Sequence, residues 1–150
     1  MAETLTAEPK FDLRRVQEVA LVGLTSEASG ALAGTRTRIT RLPYRVGRES
    51  RRVLTKLAMS IERRLGTAPP LNDLYIEEKG QQVHVSREHF LIDASEEGFF
   101  LLDRGSACGT LVNGVLVGGS RKGGRVALDN GATIIAGSAA SPFVFQFVYR

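Results

Sequence analysis

Short apolar stretches bounded by glycine, asparagine or aspartate recur along most of the chain. They include "NDLYIEE", "EHFLIDAS", "GFFLLDRGS", "TLVNGVLVGG" and the terminal "PFVFQFVYR". Within "TLVNGVLVGG", Asn113–Gly114 predicts a two-residue hairpin, because a type I′ turn needs a positive φ at both central positions. Strands this short, with turns roughly every 8–12 residues, predict an all-β fold: an antiparallel β-sandwich of about eleven strands rather than a parallel α/β sheet.

One segment departs from this rhythm and predicts an inserted helix over residues 50–65, "SRRVLTKLAMSIERRL". Ser50 can cap its start and Gly66 its end. Apolar residues recur there at every fourth position, as one face of a helix requires: Val53, Leu57, Ile61 and Leu65. The opposite face is basic and carries Arg52, Lys56 and Arg63. Earlier in the chain, "SEASGALAG" predicts a loop.

The chain has the size and composition of one domain. It contains 150 residues, of which 43% are hydrophobic and 24% charged, as in ordinary globular proteins. Residues 1–14 are mostly polar and predict a flexible N-terminal tail, which leaves 15–150 for the domain.

The net charge and the cysteine content limit which cellular compartment and which partners suit the sequence. The formal net charge of +4 favours acidic partners without distinguishing nucleic acid, a phosphorylated peptide or a membrane headgroup. Cys108 is the single cysteine, which excludes an internal disulfide and suits a reducing compartment. No apolar run has the length of a membrane span, and the first residues lack the order of a secretory signal. We therefore expect a cytoplasmic protein with no membrane partner.

The stretch "VHVSREHFLID" raises the question of catalysis, because it places Ser86, Arg87 and His89 within four positions. On a continuous strand the side chains of Ser86 and His89 would point to opposite faces, and the sequence offers no evident third member of a relay. We therefore expect no enzyme. Two histidines and one cysteine show no zinc-ligand spacing, so we expect no metal and no cofactor. The pairs Glu77–Glu78 and Glu96–Glu97 predict solvated surface.

Anion binding suits the same residues. Arg48 follows Gly47 at the end of a predicted strand, and its planar guanidinium can hold two phosphate oxygens at once. Ser86 can add a hydroxyl contact and Arg87 a second positive charge. The alternative, that both arginines only cover the surface, stays open at this point. The segment "GGSRKGGR" lacks the Gly-Lys-Ser/Thr ending of a nucleotide-binding loop and predicts a flexible basic turn.

Taken together, these motifs resemble the forkhead-associated (FHA) domain family. The resemblance rests on Gly47-Arg48, on Ser86-Arg87-Glu88-His89, on Asp103…Ser106…Gly109-Thr110-Leu111-Val112-Asn113-Gly114, and on the later "LDNGATIIAG". It extends over about residues 17–150. It implies an eleven-stranded SMAD/FHA-like sandwich with its binding loops at one end. It also implies a non-enzymatic module that binds phosphothreonine in a partner protein, a Ser/Thr kinase or a kinase substrate.

The resemblance also implies roles for individual residues. Phosphopeptide contacts are implied for Arg48, Ser86, Arg87, Cys108, Gly109, Thr110 and Asn113. Support of the binding loops is implied for Gly47, His89 and Gly114, with Gly47 giving Arg48 its backbone geometry.

Two departures from the family pattern leave alternatives. Cys108 replaces the usual asparagine, and Ala107 replaces a position that often carries a hydroxyl. A thiol cannot reproduce the paired hydrogen bonds of an amide, so the module could instead dock a partner independently of phosphate. The second departure is the long segment between Arg48 and Ser86, whose predicted helix could cover the site or simply pack on the sandwich. Nucleic-acid binding through the basic helix face is a third, weaker alternative, because no aromatic residues interleave with the basic ones.

Overall fold

The computed structural model describes residues 11–50 and 70–150, and the backbone of residues 52–54 and 59–61. The strands are β1 (Val19–Gly23), β2 (Arg36–Arg38), β3 (Tyr44–Arg48), β4 (Arg52–Leu54), β5 (Met59–Ile61), β6 (Leu74–Ile76), β7 (Phe90–Ser95), β8 (Gly98–Asp103), β9 (Thr110–Val112), β10 (Val115–Val117), β11 (Gly124–Ala127), β12 (Thr133–Ala136) and β13 (Val144–Tyr149). The helical elements are a 3-10 turn (Leu13–Arg15) and α1 (Ser26–Leu32).

Eleven of these strands form two sheets, which confirms the predicted β-sandwich. One sheet has the order β10-β9-β12-β13-β1-β2 and the other has the order β11-β8-β7-β3-β6. The predicted Asn113–Gly114 turn is also confirmed, because it joins β9 to β10 with φ values of 50° and 79°. The sheets are antiparallel except at β3 and β6, which run parallel with Val46 opposite Leu74. The long chain between those two strands provides the crossover that a parallel pair requires.

The core lies between the two sheets, and β8 shows how the sequence builds it. Phe99, Leu101 and Asp103 are buried, whereas the residues that alternate with them are partly exposed. This alternation places one face of the strand in the core. Asp103 therefore occupies a core-facing position at the end of the strand, where an isolated carboxylate would be unfavourable unless it is hydrogen-bonded.

The predicted helix over residues 50–65 is wrong where the structure describes that segment. Strands β4 and β5 occupy it and pair antiparallel, with Val53 opposite Ser60. Paired strands satisfy each other's backbone hydrogen-bonding groups, and β-branched residues such as Val53 and Ile61 favour extended backbone. The basic helix face proposed for nucleic acid needed one continuous helix, so that interpretation loses its basis. Positions 51, 55–58 and 62–65 of the same prediction lie outside the described residues.

A helix is found instead in "SEASGALAG", which was expected to be a loop. Thr25 caps α1, because its Oγ1 accepts a hydrogen bond from the Ala28 N–H at 3.1 Å. Ala28 and Leu32 lie four positions apart and are both buried. Ala33 ends the helix with a left-handed φ of 55°. An N-cap threonine, Glu27 in the first turn and the spacing of Ala28 and Leu32 were the available signals.

The N-terminal boundary lies earlier than residue 15. The Phe11 ring contacts Phe99 edge-on, with ring centroids 5.1 Å apart, and also contacts Tyr149 at 6.4 Å. Residues 11–14 therefore belong to the packed domain, and a tail over residues 1–10 lies outside the described part. Within residues 11–50 and 70–150, no helix has the length and apolar content needed to cross a bilayer.

Candidate functional site

An open cleft of about 490 Å³ lies at one end of the sandwich, where loops from both sheets meet. Its walls come from the end of β3, from the loop before β7, from the turn after β8 and from the loop after β10. The lining residues are Arg48, Val83, His84, Val85, Ser86, Arg87, Glu88, Arg104, Gly105, Ala107, Cys108 and Arg121. Residues far apart in the sequence thus share one surface, and four arginines face one glutamate there.

Ser86 connects two of these loops. Its Oγ accepts a hydrogen bond from the Ala107 N–H at 3.0 Å, and its own N–H donates to the His89 ring. A hydroxyl can accept and donate at the same time. Among the described residues, the Ser86 O–H has no acceptor, so it can donate to a group bound in the cleft.

Arg48 lines the cleft at the end of β3. Its backbone N–H donates to the Ser86 carbonyl at 2.9 Å, and its Nε–H donates to the Val85 carbonyl at 2.9 Å. The side chain is half-buried. Two contacts to the same loop fix the plane of the guanidinium beside Ser86, which is the arrangement that recognises a planar or tetrahedral oxyanion.

Gly47 allows β3 to contact the loop before β7. A Cβ at this position would lie 1.9 Å from the Arg87 carbonyl oxygen and 2.6 Å from Asn72 Nδ2. Gly47 does not have a positive φ. Its backbone torsion therefore does not require a glycine, and its predicted role in the backbone geometry of Arg48 stays a prediction. Close approach of two backbone segments is the physical reason.

His89 is fully buried and joins the Ser86 loop to the Gly109 loop. Its Nδ1 accepts from the Ser86 N–H at 3.0 Å, so its Nε2–H donates to the Gly109 carbonyl at 2.8 Å. Burial lowers the pKa of His89 below its ordinary value of 6.5, which favours this neutral form. The ring contacts the Ser86 backbone rather than its hydroxyl, so the pair lacks the hydrogen bond between nucleophile and base.

Asp103 organises the turn that follows β8. Its Oδ1 accepts from the N–H groups of Gly105 and Ser106 at 3.0 and 2.9 Å. Its Oδ2 accepts from the hydroxyls of Ser106 and Thr110 at 2.6 and 2.8 Å. Ser106 Oγ also accepts from the Gly109 N–H at 2.9 Å. Four donors satisfy the buried carboxylate and hold the backbone that carries Ala107 and Cys108.

The comparison with protein families decides where the chain belongs. A family model described as FHA domain matches residues 44–137, which include the whole of the cleft. The chain belongs to the FHA domain family. FHA domains are protein-interaction modules, which agrees with the absence of a nucleophile–base pair at Ser86 and His89. No curated protein sequence matches the chain.

Solved structures share the fold of this FHA domain. Full-length yeast Pml1p is 20% identical with a TM-score of 0.58, over 93% of this chain and 87% of that one. The kinase-interacting FHA domain of the Arabidopsis phosphatase KAPP is 22% identical with a TM-score of 0.55, over 89% and 94%. Mycobacterium tuberculosis EmbR, solved with a low affinity phosphopeptide, is 18% identical with a TM-score of 0.51, over 87% and 24%.

Of the residues that were predicted to contact the peptide, some line the cleft and others do not. Arg48, Ser86, Arg87 and Cys108 all line the cleft of this FHA domain. Gly109 and Thr110 are buried and do not line it, and Thr110 uses its hydroxyl on Asp103.

Asn113 and Gly114 lie in the β9–β10 turn and are not among the residues that line the cleft. Asn113 Oδ1 accepts from the Thr133 N–H at 2.9 Å, and the Asn113 N–H donates to the Thr133 carbonyl at 2.9 Å. The Asn113 side chain therefore joins the hairpin to β12. Its contacts, like those of Thr110, support the loops instead of facing the cleft.

Glu78 is a supporting residue that sequence reasoning placed on the solvated surface. It is buried, and its carboxylate accepts from the N–H groups of His84 and Val85 at 2.9 Å. Its Oε2 also lies 2.7 Å from His84 Nδ1. These contacts shape the loop that presents Ser86. The signal was its position two residues after the buried Ile76, on the same face of an extended chain.

Arg104 is a second residue that was missed. Its guanidinium donates to Glu88 Oε1 at 3.1 Å and to the Leu71 carbonyl at 2.9 Å. Burial lowers the pKa of Arg104, and the nearby Glu88 carboxylate acts in the opposite direction. The Arg104 charge is thus partly neutralised by Glu88, although both residues line the cleft.

Proposed function

We propose that this FHA domain binds phosphothreonine-containing segments of partner proteins in the cleft beside Arg48. The observation that carries the proposal is that the Arg48 guanidinium is hydrogen-bonded to the loop that also carries the Ser86 hydroxyl. Arg87, the next residue of that loop, lines the same cleft. A phosphoryl group carries about −1.5 to −2 charges near neutral pH and accepts several hydrogen bonds, so it gains more from this grouping than a neutral hydroxyl would.

The proposal extends to the setting of the interaction. The partner is a Ser/Thr kinase or a substrate of such a kinase, and the module acts in kinase signalling in the cytoplasm, without enzymatic activity, cofactor or metal. The exposed Cys108 thiol is consistent with a reducing compartment. The phosphopeptide in the EmbR structure and the kinase-interacting KAPP domain support this reading.

A second candidate is docking of a protein partner that does not depend on phosphate. Ala107 and Cys108 favour it, because both are exposed on the cleft. A methyl group and a thiol contribute little hydrogen bonding to a bound peptide. The Ala107 N–H is already used by Ser86 Oγ, so the Ser86 loop and the arginines would carry the phosphate alone.

The two candidates separate in a titration with three matched peptide libraries that contain phosphothreonine, phosphoserine or unmodified threonine. We expect binding only to phosphorylated libraries, with phosphothreonine preferred. Arg48→Ala should weaken it about tenfold or more and Ser86→Ala about three- to tenfold, because hydrogen bonds to charged groups are the stronger ones. Arg125→Ala is the control, since its guanidinium lies over the Phe100 ring at 3.7 Å and outside the cleft lining.

Equal binding of phosphorylated and unmodified libraries would contradict phosphate recognition and support phosphate-independent docking. Phosphate-dependent binding that survives both Arg48→Ala and Ser86→Ala would place the site elsewhere.

A further inference from the structure

The loop from Gly118 to Gly123 brings a fourth arginine, Arg121, to the cleft, at a position outside the motifs that identified the family. Its Ser120 N–H donates to the Ala107 carbonyl at 2.9 Å, and its Arg121 N–H donates to the Ser106 carbonyl at 3.0 Å. The loop is therefore hydrogen-bonded to the turn after β8, which forms one wall of the cleft.

Glycines let this loop pack closely on that wall. A Cβ at Gly118 would lie 2.6 Å from the Asp103 carboxyl carbon, where φ is +72°. Gly119 has a φ of +95°, a backbone conformation that other residues rarely adopt. The segment that predicted a flexible basic turn is thus packed against the hydrogen-bonded Asp103 turn.

Arg121 keeps its side chain at an unfavourable backbone position. Ser120 and Arg121 have φ values of 51° and 62°, in the left-handed region that glycine adopts readily and other residues rarely. Such a conformation costs on the order of 1 kcal/mol or more at a non-glycine residue. Glycine would adopt the backbone conformation at position 121 with less strain. The backbone therefore does not need an arginine here, and any advantage of the arginine lies in its side chain.

The charge of Arg121 has no ion-pair partner in the part of the chain that the structure describes. Its side chain is exposed and lines the cleft. Over residues 11–50 and 70–150, no carboxylate forms an ion pair with its guanidinium, whereas Arg104 in the same cleft pairs with Glu88. An arginine held by its backbone and directed by its loop to a binding cleft is suited to an anionic group of a ligand.

Arg48 is hydrogen-bonded to the loop that carries Ser86, whereas the Arg121 backbone is hydrogen-bonded to the turn that carries Ala107, and the Ser86–Ala107 hydrogen bond joins loop and turn. Arg121 thus reaches the cleft from a different loop than Arg48 and is available to a second group of the same peptide. We propose that Arg121 is a specificity-determining residue that selects peptides with a second negative group near the phosphothreonine. This inference rests on the proposed phosphothreonine function, and the second group is a carboxylate or a second phosphate.

Fluorescence anisotropy with a set of synthetic phosphothreonine peptides tests the inference. Each flanking position carries, in turn, alanine, aspartate or phosphoserine, and binding is compared for wild type, Arg121→Gln and Lys122→Gln. Lys122 is the matched control, because it is the adjacent exposed cation and does not line the cleft. Glutamine retains an unbranched polar side chain and the backbone cost at position 121 while removing the charge.

We expect wild type to prefer an acidic residue at one or two positions by about three- to tenfold, with phosphoserine favoured over aspartate. Arg121→Gln should lower the affinity for the acidic-flanked phosphopeptide much more than for the alanine-flanked one, so that the preference is lost, whereas Lys122→Gln should retain the preference. The absence of any preference in wild type, or its survival in Arg121→Gln, would overturn the inference.

An unphosphorylated version of each peptide separates this inference from the function on which it rests. An acidic preference that depends on Arg121, found together with equal binding of threonine and phosphothreonine, would refute phosphate recognition and still support the role of Arg121. Phosphate-dependent binding without an acidic preference would refute the role of Arg121 alone.

Discussion

Gly47 lies where β3 contacts the loop before β7, and a Cβ there would meet the Arg87 carbonyl oxygen at 1.9 Å. Two backbone segments cannot relax around an added methyl group as a flexible side chain can. We expect Gly47→Ala to lower the free energy of unfolding by about 3 kcal/mol, measured by urea denaturation at equilibrium. The substitution should also weaken peptide binding, because Arg48 and Ser86 would move apart.

Gly30 provides the control for this comparison. It lies inside α1, and a Cβ there would meet nothing within 4 Å. Gly30→Ala should raise the free energy of unfolding by about 0.5–1 kcal/mol, because alanine loses less backbone entropy in a helix. Similar stabilities for wild type and Gly47→Ala would contradict the close contact between β3 and the loop.

His89 predicts a dependence of stability on pH. Because burial lowers the pKa of the folded His89 below 6.5, the unfolded chain binds a proton more readily than the folded chain does. The contribution is complete above pH 6.5 and is lost as the pH falls below 6.5 toward the folded pKa. The free energy of unfolding should then fall by up to about 1.4 kcal/mol per pH unit from this residue.

Urea denaturation of wild type and His89→Gln across pH 5 to 8 checks this prediction, since glutamine offers a donor and an acceptor without titrating. The wild type should lose stability below pH 6.5 more steeply than the variant. Parallel curves for the two proteins would show that His89 does not carry the effect.

At the scale of elements, the turn after β8 depends on one carboxylate. Asp103 accepts four hydrogen bonds, and replacing one oxygen by an NH₂ group puts a donor opposite the donors of the turn. We expect Asp103→Asn to lower the free energy of unfolding by about 2–4 kcal/mol. Amide hydrogen exchange at Ser106 and Gly109 should become faster.

The exposed Asp129 supplies the matched control, because Asp129→Asn removes a charge from a turn outside the cleft. This variant should change stability by less than about 0.5 kcal/mol. Unchanged amide exchange at Ser106 and Gly109 in Asp103→Asn would mean that the turn does not depend on the carboxylate.

The strands of the sandwich were readable in the sequence because alternation marks a strand that has one buried face, as in β8. The helices were not. The apolar residues from Val53 to Leu65 repeat every fourth position, a pattern that fits a helix. Pairing of β4 with β5 instead joins residues that are five to nine positions apart and leaves no local signature. Conversely, α1 has seven residues, one of them glycine, so its periodicity is too short to recognise.

At the scale of the whole molecule, the aromatic cluster at one edge ties the N-terminal segment to the domain. Phe11 packs on Phe99 and Tyr149, and Phe99 packs on Phe147 with ring centroids 5.1 Å apart. We expect Phe11→Ala to lower the free energy of unfolding by about 1–3 kcal/mol, because it removes a partly buried ring and its edge contacts. Thermal or urea denaturation measures the change.

The exposed Leu13 is the control for that variant. Leu13→Ala should change stability by less than about 0.5 kcal/mol. A Phe11→Ala variant as stable as wild type would place the domain boundary closer to residue 15, where the sequence alone put it.

The cleft also belongs to this scale, because four separate segments of the chain converge on it. Arg48, Ser86 and Cys108 were assigned from family motifs, and the structure brings them to one surface. Arg104 and Arg121 lie outside those motifs and join the cleft only through contacts made by the folded loops. Thr110 and Asn113 belong to the motifs, but their side chains are hydrogen-bonded to Asp103 and to the Thr133 N–H and do not line the cleft. A motif does not distinguish a ligand contact from a supporting one.

One measurement tests the central claim most directly: amide chemical shifts of the ¹⁵N-labelled protein, titrated with one library-selected peptide in threonine and phosphothreonine forms. The Ala107 N–H donates to Ser86 Oγ, and the Arg48 N–H donates to the Ser86 carbonyl, so both amides report on the phosphate position. The account predicts that the phosphopeptide shifts Arg48, Ser86 and Ala107 strongly while the unmodified peptide leaves them in place. Equal shifts from both peptides, or shifts confined to other surfaces, would contradict it.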